Sequence, residues 1–261
     1  MKIGFLCKEN DKKSQEYLNE LKLKCKFECV NLNDGERVDY IICFGGDGTT
    51  LKGVQYAIKY NVPIISINTG SLGFLSTYLP CEIDKIIDDL QSNTIQFAYK
   101  SLLEFTLNGV THYALNDVII ERNHTNCSET NLYELKIQDK VVQSAVADGI
   151  IISTPTGSTA YSLSAGGAIL HPSVNAFIAT FICSHSMNSR PIVFNDEHLT
   201  QITFSKASAP PVVFADGRFI STLDGINSLK IKKSKLSIQI ACNQDYYSVL
   251  NAKLKNWSNR G

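Results

Sequence analysis

Surplus charge of one sign is missing: 25 basic residues stand against 25 acidic ones in a chain of 261. Proteins held on nucleic acid by bulk electrostatics carry an excess of Lys and Arg, so a charge-driven nucleic-acid partner is excluded. The same balance argues against a polybasic membrane-surface binder. No uncharged apolar run approaches the roughly 18 residues of a spanning helix, and the N-terminus has no signal-peptide core. The expectation is a soluble, cytoplasmic chain without a membrane partner. Paired metal-binding cysteines are missing as well: the eight cysteines form no CxxC pair, and no His stands at zinc-ligand spacing. Cys7, Cys43 and Cys183 fall in apolar runs and read as reduced, buried thiols. Proline numbers only seven, and no Pro- or Ser-rich stretch acts as a flexible tether. With 44% apolar and 19% charged residues, wholesale disorder is out, and the length suits one large domain or two modest ones.

Up to residue 95, strand and helix signals alternate. Lys2–Cys7, Phe27–Leu32, Tyr40–Phe44 and Pro63–Asn68 are short apolar strands. Between and after them, residues 11–26 put Leu18, Leu21 and Cys25 on one helical face. A second helix carries Leu51, Val54 and Ile58, and a third carries Ile83, Ile86, Ile87 and Leu90. Such alternation means a parallel sheet covered by helices. From residue 96 strands follow in quick succession: Leu103–Leu107, Thr111–Glu121, Leu132–Gln138, Val141–Ala147, Gly149–Thr154, Ala176–Cys183, Pro191–Phe194, Leu199–Phe204, Val212–Ala215, Arg218–Thr222, Ser228–Ile231 and Leu236–Ala241. Turn pairs such as Asp139-Lys140, Asp216-Gly217 and Asp224-Gly225 punctuate them. This half reads as a mostly antiparallel β domain, interrupted by one helix from about Ser158 to Ile169.

Gly45-Gly46-Asp47-Gly48-Thr49 follows a buried strand and opens a helix. Ligands of open parallel sheets collect beyond the carboxyl ends of strands. Glycines let backbone N–H groups approach a polyanion there, and the helix N-terminus adds partial positive charge. Asp47 suits holding a divalent cation or accepting a proton from an attacking hydroxyl; the plainer alternative is a tight turn with Asp47 as N-cap. The loop lacks the lysine of GxxxxGK[ST], and GxGxxG fails at Leu51, which disfavours a hydride-transfer Rossmann enzyme. Asn68-Thr69-Gly70-Ser71-Leu72-Gly73-Phe74 follows the next strand in the same register, so the two loops can build one nucleotide-phosphate pocket.

The densest signal runs from Asp148-Gly149 to Gly166-Gly167, where a strand ends in a Ser/Thr/Gly turn and a helix begins with several hydroxyls. Small hydroxyl side chains and free N–H groups suit a sugar, a base edge or an amide. Tyr161 offers a flat face for a base; a Ser/Thr-capped core helix is the alternative. Asn116-Asp117 is a polar pair inside an apolar run, explained either by a ligand or by a turn or bulge.

Taken in order, GGDGT (45–49), NTGSLGFL (68–75), LNDV (115–118), DGIIISTPTGSTAYSLSAGG (148–167) and HPSVNAF…SHSMNSRP (171–191) resemble the NAD kinase family, ATP-dependent 2′-phosphorylators of NAD. The resemblance runs from about residue 3 to about residue 240. Its long DG…AGG stretch is the specific part, since lipid kinases and phosphofructokinases carry loops like GGDGT. It implies a Rossmann-like N-terminal α/β domain (1–95), a C-terminal β-sandwich domain (96–243) and a tail (244–261) that returns to the first domain.

The resemblance also implies roles. Asp47 becomes the proton acceptor for the adenosine-side ribose 2′-hydroxyl, with ATP phosphates along Gly45, Gly46, Gly48 and Thr49. Asn116 and Asp117 contact the adenine edge and ribose. Thr159, Ala160, Tyr161, Ser162, Leu163 and Ser164 line the dinucleotide site, with Asp148 towards the nicotinamide end. The implied partners are NAD, ATP with a divalent cation, usually magnesium, that has no evident protein ligand set, and further copies of the chain as a homodimer or homotetramer. The His185–Arg190 segment is the candidate to reach a neighbour's site. Many members have Arg two residues before the Asp of the DG motif, where this chain has Val146; many have Gln after the later Asp-Gly turn, where it has Arg218, a dinucleotide contact by the match. These departures bear on cofactor preference and on feedback by NADP or NADPH, and leave the chemistry alone. The rivals are a diacylglycerol-type lipid kinase, which needs an apolar entry surface not evident here, and a non-catalytic dinucleotide sensor, disfavoured by the carboxylate at position 47.

Overall fold

In a computed structural model that describes residues 1–70, 73–123, 130–205, 209–243 and 245–258, the chain divides into two compact units. Met1–Lys100 with Ser237–Gly261 form the first, and Ser101–Leu236 the second. Ser71 and Leu72 of the second glycine loop, Cys127, Gln244 and residues 259–261 lie outside the described residues.

The first unit follows the alternation: β1 (Lys2–Cys7), α1 (Lys12–Lys24), β2 (Glu28–Asn31), β3 (Tyr40–Gly45), α2 (Asp47–Tyr60), β4 (Ile64–Asn68), α3 (Ile83–Ser92) and the start of β5 (Phe97–Leu107). Strands β2, β1, β3 and β4 pair in that order, all parallel. Every residue of β4 is buried, as a strand covered on both faces must be. Leu18 and Leu21 of α1 and Ile83, Ile86, Ile87 and Leu90 of α3 pack with Ile3, Ile42, Phe44, Ile65 and Ile67 in one apolar core.

The chain continues with β6 (Val110–Ala114), β7 (Asp117–Glu121), β8 (Asn131–Ile137), β9 (Lys140–Ala147), β10 (Gly149–Ser153), α4 (Tyr161–Ser164), β11 (Ala176–Ile182), β12 (Ile192–Asn195), β13 (Thr200–Phe204), β14 (Val212–Ala215), β15 (Arg218–Thr222), β16 (Ser228–Ala241) and α5 (Tyr246–Ser258). Strands β12, β11, β10, β7, β14 and β15 form one antiparallel sheet in that order. Facing it, β16, β13, β8 and β9 pair antiparallel, accompanied by the β5–β6 hairpin. Val118, Ile120, Ile150, Ile152 and Phe177 of the one sheet share a core with Tyr133, Leu135, Ala147, Ile202 and Ile231 of the other, which makes the unit a β-sandwich. The fold class is the expected one. Strands β5 and β16 run through the unit boundaries, so no change in hydrophobic pattern marks residues 100 or 236. The end of β16 completes the first unit's sheet, with Ile240 parallel and opposite Ile64.

Several local expectations change. Thr111–Glu121 is two strands: β6 pairs with β5, β7 pairs with β10 and β14, and the chain changes sheets at Leu115-Asn116. Ser228–Ile231 and Leu236–Ala241 are one strand of 14 residues. The polar stretch between them is pinned in extended form: Glu104 holds Lys232 and Ser234, each at 3.0 Å, and Asp196 holds Lys233 at 2.9 Å. The helix expected over Ser158–Ile169 is only the turn Tyr161–Ser164, after a 3-10 turn at Gly157–Thr159. It stops where Gly166 takes φ 88° and the Gly167 N–H bonds back to the Ser162 carbonyl at 2.8 Å. Cys183 is exposed just past β11, whereas Cys43 is buried and burial pushes its thiol up to about 12.

Candidate active site

The carboxyl ends of three parallel strands meet one cavity of about 470 Å³ in the first unit. Gly46, Gly48 and Thr49 wall it from the loop after β3, and Thr69 and Gly70 from the loop after β4. The two glycine loops thus share a pocket, as their register required. Sequence reasoning missed Lys8, Glu9 and Asp11, which follow β1, and Lys52 on α2, all of which line the same cavity. The signal was topological: β1 is parallel to β3 and adjacent to it, so the residues after it must arrive at the same edge. Lys52 Nζ pairs with Glu9 at 2.7 Å, both side chains being largely exposed. Asp11 caps α1 by accepting the Ser14 N–H at 3.1 Å, and Ser14 Oγ lies 2.9 Å from Thr69 Oγ1, tying the first loop to the third. The Ser14 hydroxyl also donates to Asp11 and holds its carboxyl below the usual range.

Asp47, the first residue of α2, sits between two glycines of the cavity wall, but its carboxylate turns towards the loop after β4. There Oδ2 accepts the Phe74 N–H and Oδ1 the Leu75 N–H, each at 2.9 Å, and Ser76 Oγ stands 3.5 Å from Oδ1. A Cβ at residue 73 would lie 2.1 Å from Asp47 Oδ1, so glycine there lets the carboxylate keep this position. The carboxylate is fixed in direction, and Oδ2 keeps a lone pair beyond its one bond.

In the second unit, the LNDV and TPTGS segments fold onto each other. The Asn116 carbonyl accepts the Thr154 N–H at 2.9 Å and the Ser153 hydroxyl at 3.2 Å; Thr154 Oγ1 donates to the Leu115 carbonyl at 2.6 Å. Gly157 closes the fit, since a Cβ there would lie 2.0 Å from the Asn116 oxygen. Asp216, which the sequence marked only as a turn, accepts the N–H groups of Leu115 at 2.9 Å, Asn116 at 2.6 Å and Asp117 at 3.4 Å. Burial raises the Asp216 carboxyl against the pull of those bonds and of Arg218. Asp117 opens β7 opposite Ser153, with only 3% of its surface exposed. Burial and the neighbouring Asp216 push its carboxyl up to about 7. The polar pair is therefore a break in the strand, held by a second carboxylate.

Tyr161 projects from α4, 41% exposed, and its hydroxyl is raised by burial and by the charges of Glu121, Cys183, Asp148 and Asp117. Those neighbours collect Asp117, Asp148 and Tyr161 in one place. Asp148 Oδ1 meets Arg122 Nε at 2.8 Å, so a basic partner arrives from the end of β7 although position 146 is an exposed Val. Thr159, Ala160 and Leu163 are half-buried and Ser164 is exposed. Ser162 is fully buried, with its hydroxyl 3.1 Å from that of Thr180, and so braces the turn from below. Arg218 is exposed and reaches the Tyr113 carbonyl at 3.5 Å. Among the described residues no group of His, Cys, Asp and Glu side chains is arranged to hold a metal ion, and no helix is long and apolar enough to cross a membrane.

A Rossmann-like unit with a glycine-walled cavity, followed by a sandwich with an acidic, aromatic site, is joined by matches that define a phosphotransferase family. The match narrows further. Residues 3–95 fit the model of the ATP-NAD kinase N-terminal domain, and residues 115–242 that of the ATP-NAD kinase C-terminal domain. The NAD kinase of Petrotoga mobilis is 36% identical over 228 residues, 86% of this chain and 82% of that protein. That of Caldicellulosiruptor saccharolyticus is 33% identical over 264 residues, 98% of this chain and 100% of that protein. The chain belongs to the ATP-NAD kinase family. Yeast NADH kinase complexed with NADH shares the fold at TM-score 0.86 and 23% identity, over 98% of this chain and 87% of that one. An NAD kinase from Archaeoglobus fulgidus in complex with ATP does so at 0.82 and 23%, over 98% and 99%. Neither the lipid-kinase nor the sensor reading finds support in these matches.

Proposed function

We propose that the chain is an NAD kinase that transfers the terminal phosphoryl group of ATP to the 2′-hydroxyl of the adenosine ribose of NAD, giving NADP, with Asp47 as proton acceptor. The observation that carries this reading is the Asp47 carboxylate, aimed by the Phe74 and Leu75 amides and flanked by two glycines of the first unit's cavity. A ribose hydroxyl is a weak nucleophile at neutral pH, and a positioned base contributes about 10²–10⁴-fold. Alignment and charge stabilisation of the moving phosphoryl group supply most of the rest.

ATP phosphates would take the first N–H groups of α2 along Gly45–Thr49, with Lys8 and Lys52 adding positive charge. The divalent cation, magnesium by the family resemblance, would enter with ATP as part of the substrate. On the second unit, Asn116 and Asp117 would take the adenine edge and ribose hydroxyls, and Tyr161 would stack on a ring. Thr159, Ala160, Leu163 and Ser164 would line the site over the brace formed by Ser162. Asp148, with Arg122, would face the nicotinamide end, and Arg218 would reach the dinucleotide from the β14–β15 turn. A cytoplasmic homodimer or homotetramer, with His185–Arg190 offered to a neighbour, belongs to the same reading, and sedimentation of the purified chain tests it.

Asp47→Asn should leave NAD binding within a few-fold while turnover falls at least about a hundredfold. Unchanged turnover removes Asp47 from the role. A panel of donors and acceptors, with the product identified as the 2′-phosphate, checks the activity itself.

A further inference from the structure

The C-terminal helix carries an aromatic cluster that this mechanism does not use. Asp245 caps α5, its Oδ2 accepting the N–H and the hydroxyl of Ser248, each at 2.9 Å. Tyr246, Val249, Leu250 and Lys253 recur at i, i+3, i+4 and i+7 and form one half-buried stripe. Two side chains of that stripe reach the ring of Phe74: the Tyr246 ring centroid is 6.4 Å away, and Lys253 Nζ stands 5.2 Å over the ring. Tyr247 braces Tyr246 edge-on at 5.6 Å. The chain leading to α5 is itself tied down. Thr77 donates to the Ala241 carbonyl at 2.9 Å, and Asn243 is held by Lys85 at 3.1 Å and by Glu82 at 2.9 Å. Phe74 is also the residue whose N–H fixes Asp47 Oδ2.

We propose that α5 is a positioning element for Asp47. Tyr246 and Lys253 fix the Phe74 ring, the ring fixes the backbone at Phe74 and Leu75, and that backbone aims the carboxylate. The physical need is plain: two amides orient an acid only if their own loop stands still, and Gly73 beside them contributes no side chain to anchor it. An aromatic ring held by a second ring and a cation supplies the anchor with few rotors to immobilise. Tyr246 and Lys253 are positioning residues, acting through Phe74. The inference rests on Asp47 being the proton acceptor.

The test compares the full chain as wild type, Tyr246→Phe, Tyr246→Ala and Lys253→Met, by steady-state kinetics and by hydrogen exchange at the Phe74 and Leu75 amides. Tyr246→Ala should lower kcat about tenfold, with KM for NAD and ATP within about twofold, and should speed exchange at both amides. Tyr246→Phe should match wild type, and Lys253→Met should show the same pattern at about two- to threefold. In an Asp47→Asn background, Tyr246→Ala should cause no further loss. A helix that only covers the core would lower the melting temperature yet leave kcat and both amides unchanged, and that result overturns the proposal. Lys253→Met decides the matter if Tyr246→Ala does not fold. Normal turnover by Asp47→Asn, together with faster exchange in Tyr246→Ala, sinks the proton-acceptor role alone and leaves the carboxylate positioned by α5.

Discussion

The cavity of the first unit is walled by glycine backbone, small hydroxyls and exposed or half-exposed charges of both signs, Lys8, Glu9, Asp11 and Lys52, whereas the site of the second is built around largely buried carboxylates, of which Asp117 is 3% exposed. Backbone N–H groups at a helix start carry their partial charge in any case, so holding a polyanion there demands no new buried group. Binding sugar hydroxyls and a base edge demands fixed side-chain acceptors, and those must be desolvated. The cost is visible in the second unit, where burial drives Asp117 up to about 7 and raises Asp216. The first site leans on conformation and the second on buried charge.

That contrast can be broken or sharpened. The largest effect is expected at Gly157, where an added methyl would stand 2.0 Å from the Asn116 oxygen. Gly157→Ala should force the two acceptor loops apart, with strain of about 3 kcal/mol and roughly a hundredfold loss of NAD affinity by calorimetry. ATP binding should stay within about twofold; an equal loss there would erase the distinction between the units. Tyr161→Ala comes next. Because the side chain is 41% exposed, its stacking belongs to the lower part of the 1–3 kcal/mol range, about tenfold in NAD affinity, and wild-type affinity would remove it from the site. Lys52→Met should raise KM for ATP about fivefold and leave KM for NAD alone, as expected for one exposed charge. Glu9→Gln, which releases Lys52, should shift KM for ATP slightly the other way.

The smallest effect concerns pH. The Asp117 carboxyl sits at about 7 in the fold against an ordinary 3.8, so the folded state binds the extra proton between those values. Its stabilising contribution is full below about pH 4 and is lost as pH rises through about 7. Asp117→Asn should flatten the fall in melting temperature between about pH 4 and 7 by a few degrees. A decline as steep as that of the wild type would mean that the carboxyl titrates elsewhere.

Much of this was legible in the chain because hydrophobic period is local information. The α3 stripe Ile83, Ile86, Ile87, Leu90 and the apolar β4 needed no partner to be recognised, and glycines announced both loops of the first unit's cavity. What stayed hidden depends on residues far apart. Asp216 reaches Asn116 across 100 positions, and Asp47 reaches Phe74 across 27. Lys232 and Ser234 looked like an interruption of β16 until Glu104 supplied their partner. Val146 looked like the loss of a basic contact, yet Arg122 meets Asp148 from another strand. Ser162, assigned to the dinucleotide site by resemblance, has its hydroxyl 3.1 Å from that of Thr180, a pairing that no local pattern announces.

Asp216, at φ 50°, and Gly217, at φ 72°, form a hairpin tip whose conformation Asn would adopt as readily as Asp. The acceptor loop imposes a stricter rule, because three N–H groups converge on two oxygens. An amide would bring one oxygen and turn an NH₂ against the remaining donors. Swapping this tip for a generic Asn-Gly turn would therefore preserve the hairpin while unlatching the Leu115–Asp117 backbone beneath it.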